Sequence, residues 1–153
     1  MPRFIFFKGL YSTLDLYTDE MLRICRERGY DSFVLHTTQG EDASCMHISE
    51  EQEKEEREDL LRFLKEPVTA AVGFGNMGLR YEMDGIGNIW DAFAVPYIDV
   101  MMDHPFHFSG ILRYAAKQTA LLCPDRNHVS YIRRFFPEIA CADFLPHAGI
   151  ELP

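Results

Sequence analysis

Short apolar runs separated by amphipathic or polar stretches recur along the whole chain. Phe4 to Lys8 sets four bulky apolar residues before a lysine, the pattern of a strand buried on both faces. Gly9 to Thr13 then reads as a loop. Asp15 to Arg28 spaces Leu16, Met21, Leu22 and Ile24 for a helix, and Gly29 is a natural stop. Asp31 to Thr37 is a second strand, and the polar stretch Gln39 to His47 a loop. Ser49 is placed to cap a helix from Glu50 to Lys65, ended by Pro67. Its pairs Glu50–Lys54, Glu53–Arg57 and Glu58–Arg62 have the favourable order at i,i+4. Apolar residues enter only at Leu60, Leu61, Phe63 and Leu64, so the first half of this helix is expected to project into water.

The second half of the chain continues the alternation. It predicts strands at Val68 to Val72, Tyr97 to Met102, Ala120 to Cys123 and Cys141 to Leu145. Helices are predicted at Asn88 to Phe93, Gly110 to Lys117 and Asp125 to Phe135, the last capped by Asp125 and stopped at Phe136-Pro137. Strands that alternate with helices imply an α/β fold, a Rossmann-like three-layer sandwich with a mostly parallel sheet of about six strands. At 153 residues the chain suits one domain spanning 1–153, with no repeat and no interdomain linker.

Charge narrows the function classes. The formal charge of −9 argues against a nucleic-acid binder, which needs a basic surface. Much of it is local: Glu50 to Asp59 holds seven acids against Lys54 and Arg57. The N-terminal apolar run is too short for a signal peptide, and no run approaches the roughly 18 residues that span a bilayer. Cysteines 25, 45, 123 and 141 show no CxxC spacing, and Cys25 and Cys123 sit in apolar contexts. A reduced, cytoplasmic protein is expected.

Candidate chemistry gathers at predicted strand ends, where open α/β sheets bind ligands. Gly73-Phe74-Gly75-Asn76-Met77-Gly78 is a literal GxGxxG after a strand. It follows the third strand instead of the first, and Gly85 and Gly87 interrupt what should open as a helix. It therefore reads as a glycine-rich, mobile edge loop that lets a ligand approach the backbone, with Gly9, Gly75 and Asn76 as substrate-binding candidates. Asp103-His104-Pro105-Phe106-His107 puts an acid beside a histidine, a candidate general base; the bland alternative is an acid that caps the next turn and a packed histidine. His104 and His107 find no second ligand pair at matching spacing, so no metal is assigned. In Cys123-Pro124-Asp125-Arg126-Asn127-His128, capping alone accounts for Asp125, and His128 either packs or faces the cleft. Cys123 lacks a basic neighbour and is no nucleophile. His147, in Pro146-His147-Ala148-Gly149, follows a strongly apolar strand and is expected to be held in place at its end.

The segments PYIDVMMDHPF, CPDRNHVSYIRRFFP and FLPHAG together resemble the N-terminal half of bacterial family-1-like glycosyltransferases, GT-B enzymes related to the spore-maturation CgeB group. The resemblance covers about residues 68 to 150, and the first half only in its strand–helix rhythm. It implies two Rossmann-like domains across a cleft, the N-terminal one binding the acceptor and the C-terminal one the nucleotide-sugar, with no metal or other cofactor needed for transfer. It implies that Asp103, His104 and His147 line the cleft, Asp103 or His104 serving as base on an acceptor hydroxyl. His107, Asp125 and His128 join Gly9, Gly75 and Asn76 as substrate-binding candidates. The donor-binding domain is missing from these 153 residues, so the partners implied are that domain and a sugar acceptor, and the domain alone is expected to be inactive.

The rival reading is a stand-alone, non-catalytic binding or interaction module whose acidic helix docks a basic partner. A phosphoacceptor receiver fits less well, because Lys8-Gly9 follows the first strand where an acidic pair is needed.

Overall fold

The computed structural model describes residues 1–10, 12–37 and 49–146. In chain order the first elements are β1 (Arg3–Lys8), α1 (Ser12–Arg28), β2 (Asp31–His36), α2 (Glu50–Phe63) and β3 (Ala70–Phe74). A hairpin of β4 (Glu82–Met83) and β5 (Gly87–Asn88) runs into α3 (Ile89–Ala92). Then come β6 (Tyr97–Val100), a 3-10 turn (Pro105–Phe108), α4 (Ser109–Leu112), β7 (Thr119–Cys123), α5 (Arg126–Phe135) and β8 (Cys141–Phe144). Six strands form one parallel sheet in the order β2-β1-β3-β6-β7-β8, flanked by helices as a Rossmann-like α/β sandwich. None of the described helices is long and apolar enough to cross a membrane.

The unbroken apolar run of β1 follows from burial on both faces. Phe6 packs with Cys25 of α1 and with Ala70 and Val72 of β3. Ile5 and Phe7 belong to the larger core with Leu35, Leu60, Trp90 and Tyr97. Within it the Phe7 ring meets Trp90 edge-on at 5.8 Å and Tyr97 at 6.1 Å.

Local signals place the helix ends. Gly29 turns at φ 67°, and the Tyr30 N–H closes the end of α1 on the Cys25 carbonyl at 2.8 Å. Ser49 starts α2 with a capping box: its hydroxyl accepts from the Gln52 N–H at 3.2 Å, and the Gln52 side chain accepts from the Ser49 N–H at 2.9 Å.

Three expectations need correcting. The third strand runs Ala70–Phe74, two residues later than its apolar run suggests; just before it the Arg3 N–H goes to the Thr69 hydroxyl at 3.0 Å instead of to a backbone carbonyl of a strand ladder. The shift carries Gly73 into the strand. The helix expected from Gly110 to Lys117 is only Ser109–Leu112; the Lys117 N–H goes to Asp91 Oδ1 at 2.8 Å instead of to a helical carbonyl. Within residues 79–87, read as a glycine-broken stretch, the chain forms the β4–β5 hairpin, with Gly85 and Gly87 at φ 77° and 81°, and Asn88 ends β5 instead of starting the next helix.

Candidate functional site

The strand order reverses between β1 and β3, so their connections leave in opposite directions and open a crevice at their C-terminal ends. On the β1 side Gly9 is buried and its N–H donates to Asp15 Oδ1 at 3.0 Å. On the β3 side the chain turns sharply, with Gly75 at φ 61° and Asn76 at φ 69°. Asparagine tolerates this left-handed region better than most side chains.

Packing accounts for each glycine of the GxGxxG. A Cβ on Gly73 would lie 2.2 Å from the Met77 carbonyl and 2.3 Å from the Tyr97 hydroxyl. One on Gly75 would come within 2.9 Å of Leu14, and one on Gly78 within 2.2 Å of the Phe7 ring. The turn is bonded along its length. Gly75 N–H donates to the Val100 carbonyl (3.0 Å), and Asn76 N–H to Asp99 Oδ1 (2.8 Å). The Tyr97 hydroxyl donates to the Met77 carbonyl (2.6 Å), and Trp90 Nε1–H to that of Gly78 (2.7 Å). The mobile loop expected from its glycines is thus corrected: the turn is packed and hydrogen-bonded, and it leads into a hairpin instead of opening a helix as a pyrophosphate loop does.

Asp99 sits at the centre of this arrangement, on β6 and fully buried. Burial pushes its carboxyl up to about 7, against the opposing pull of the Asn76 N–H. Tyr97 also approaches Asp99 Oδ1, at 3.3 Å, but its one proton goes to the closer Met77 carbonyl. The Tyr97 hydroxyl is itself raised well above its usual range, by burial first and by Asp99 second. Among the described residues nothing bonds Asp99 Oδ2, nor either amide atom of the Asn76 side chain.

Asn76 also lines a cleft of about 450 Å³ between α2, the end of β2 and residues 76–82. Three basic side chains face it, each with an acidic partner. His36 gives its backbone N–H and ring Nδ1 to Glu56 (3.1 and 2.5 Å), Arg57 pairs with Glu53 (2.6 Å), and Arg80 forks onto Glu82 (2.9 and 3.1 Å). Tyr81 adds an aromatic wall, its hydroxyl raised by burial. The expectation that the first half of α2 projects into water is therefore corrected on one side. Glu53, Glu56 and Arg57 are half-buried because β2 and the Tyr81 segment lie against them, while Glu51, Glu55 and Glu58 are exposed.

A second group of polar residues lies at the ends of β6 and β7. Asp103 is exposed. His104 caps the Pro105–Phe108 turn, Nδ1 accepting from the Phe106 N–H at 3.1 Å, which puts the ring proton on Nε2. Its ring lies 4.5 Å from that of His128 and 5.2 Å from Tyr131, so the fold joins two histidines 24 positions apart. Asp125 caps α5 through the Asn127 N–H at 2.6 Å. His107 is exposed, with its ring beside Phe106. His147 lies outside the described residues. Cys123 is buried, and its thiol is pushed up to about 11 by burial and by Asp99, in keeping with an inert role.

The sheet thus brings Gly9, Gly75 and Asn76 to the switch point, and Asp103, His104, Asp125 and His128 to the β6–β7 ends. The cleft walls His36, Arg57 and Tyr81 are beyond sequence reasoning, since only folding brings them together. Asp99 did leave a signal: an acid in the middle of the apolar run Tyr97-Ile98-Asp99-Val100. No protein-family model, curated protein or solved structure matches the chain.

Proposed function

We propose that these residues form the acceptor-binding domain of an enzyme that moves a sugar from a nucleotide-sugar to an acceptor, the C-terminal edge of the sheet facing the donor-holding domain. One observation carries this reading. The strands β6, β7 and β8, on which the segments behind the glycosyltransferase resemblance lie or begin, end at one sheet edge, with His104 and His128 in ring contact, on the same edge as the switch-point cleft.

The geometry divides the roles. The Nδ1 lone pair of His104 is engaged by the Phe106 N–H, so in this tautomer the ring offers only the Nε2 proton and serves as a donor to substrate. Asp103, exposed at the strand end, is the base. It takes the proton of an acceptor hydroxyl as that oxygen bonds the anomeric carbon, while the glycosidic electron pair leaves with the nucleotide diphosphate.

The test uses the full-length protein isolated from its natural source, assayed with nucleotide-sugars. Asp103→Asn is expected to lower kcat by roughly 10²–10⁴-fold. Full transfer activity in an Asp103→Asn, His104→Ala double variant sinks the assignment. A non-catalytic interaction module is the second reading, favoured by the exposed acids Glu51, Glu55 and Glu58 along α2. It predicts that neutralising those three abolishes partner capture while Asp103→Asn changes nothing.

A further inference from the structure

The turn after β3 is held to β6 by side chains, and one of those ties hangs on a single proton. Tyr97 and Asp99 lie two positions apart on β6, so both side chains leave one face of the sheet. The Tyr97 hydroxyl sits between two acceptors, the Met77 carbonyl at 2.6 Å and Asp99 Oδ1 at 3.3 Å. With one proton it can donate to only one of them. Gly73 makes room for this fork: a Cβ there would lie 2.2 Å from the Met77 oxygen and 2.3 Å from the Tyr97 oxygen.

The charge on Asp99 decides which acceptor wins. A carboxylate holds a donor about twice as strongly as a neutral oxygen does. Asp99 is fully buried, and the Asn76 N–H of the turn is its one close donor, at 2.8 Å. In register it faces Gly73 of β3 and Leu121 of β7, neither of which titrates. The titratable groups that feel its charge are Tyr97 on its own strand and Cys123 at the end of β7, both kept neutral by burial first and by Asp99 itself second. Among the described residues no Lys, Arg or His bonds the carboxyl. Pushed up to about 7 by burial, it ionises without a compensating cation. The other ties of the turn, Gly75 N–H on the Val100 carbonyl and Trp90 Nε1–H on that of Gly78, involve no titrating group.

We propose that the Tyr97 hydroxyl is a proton-driven switch, tying Met77 to β6 while Asp99 is protonated and turning to Asp99 Oδ1 when that carboxyl ionises. Ionisation thereby frees the Met77 carbonyl. Met77 lines the switch-point cleft, so one wall of the cleft loosens as the pH rises. No part of this rests on the transferase reading.

The isotope-labelled 153-residue chain is titrated by NMR over about two pH units on either side of the Asp99 midpoint. The Asp99 carboxyl carbon reports ionisation, and the Met77 carbonyl carbon reports its hydrogen bond. Both are expected to step with one shared midpoint, the Met77 signal moving upfield as its bond is lost. In Asp99→Asn the Met77 signal should keep its low-pH position throughout, which also removes any contribution from His36 and the acids of the cleft. In Tyr97→Phe it should hold the unbonded position throughout, while Asp99 still titrates at a raised midpoint for want of a donor. An Asp99 carboxyl with no step in the range, an Asp99 step that leaves Met77 unmoved, or a Met77 step that survives in either variant would each overturn the proposal. The first two are read on the parent protein alone, so a variant that fails to fold does not shelter it.

Discussion

The two ends of the C-terminal sheet edge are built on opposite principles. At the switch point, polar groups are buried and partly unmet: Asp99 within the sheet, the Asn76 amide beside the cleft. At the ends of β6 and β7 Asp103, His104, His107 and Asp125 are exposed and His128 is half-buried, and two of them serve as caps, His104 on the Pro105–Phe108 turn and Asp125 on α5. Burying unmet polar groups costs stability, whereas capping contributes it. The difference sets a tightly packed turn beside a solvent-facing edge where protons can come and go.

Replacing glycines should separate the two regions most sharply. Gly73→Ala drives a methyl into the Met77 carbonyl and the Tyr97 hydroxyl, and Gly78→Ala drives one into Phe7 at φ 81°. Each is expected to cost about 3 kcal/mol or more in denaturant unfolding. Gly110→Ala, in α4 with nothing near its would-be Cβ, should be neutral or slightly stabilising. Equal effects at the three positions would erase the distinction between a packed loop and an open edge.

The pH dependence of stability is the next handle. The folded protein holds the Asp99 proton up to about 7, against an ordinary value of 3.8. Its contribution is therefore fully present below 3.8 and lost as the pH rises through about 7. Asp99→Asn keeps an oxygen for the Asn76 N–H and has no proton to lose. It should gain on the parent as the pH climbs between those values, by a few kcal/mol at about 1.4 per pH unit, and level off above. A parent–variant difference that stays flat across that window would place Asp99 outside the control of the loop. Tyr97→Phe should cost about 1–3 kcal/mol, because it strands the buried Met77 carbonyl.

The smallest effect belongs to the far edge. Asp125→Ala removes the α5 cap and should cost about 1 kcal/mol in thermal or denaturant unfolding. A loss several times larger would mean that Asp125 is part of a buried network and not an exposed cap.

Much of the fold was legible because both faces of the sheet are covered. Phe4 to Phe7 can hardly be anything but a buried strand, Gly29 stops α1, and Ser49 and Asp125 cap as their positions suggest. What escaped was set by contacts distant in sequence. Lys117 leaves its expected helix for Asp91, and Glu56 turns inward to reach His36. The GxGxxG was visible, but its reason was not. Its spacing answers to Tyr97, Leu14 and Phe7, which only the sheet register brings beside it. For the site, the sequence singled out Asn76, His104 and His128, and folding paired the two histidines. It passed over Asp99 because an acid inside an apolar run was read as part of the strand, and not as a buried charge in need of a partner.

The proposed transfer places its base at Asp103, on the exposed end of β6. Steady-state transfer kinetics of Asp103→Asn in the full-length natural protein test this most sharply. The variant is expected to lower kcat and leave the acceptor KM in place. A raised KM at unchanged kcat, or a variant indistinguishable from the parent, would overturn the assignment.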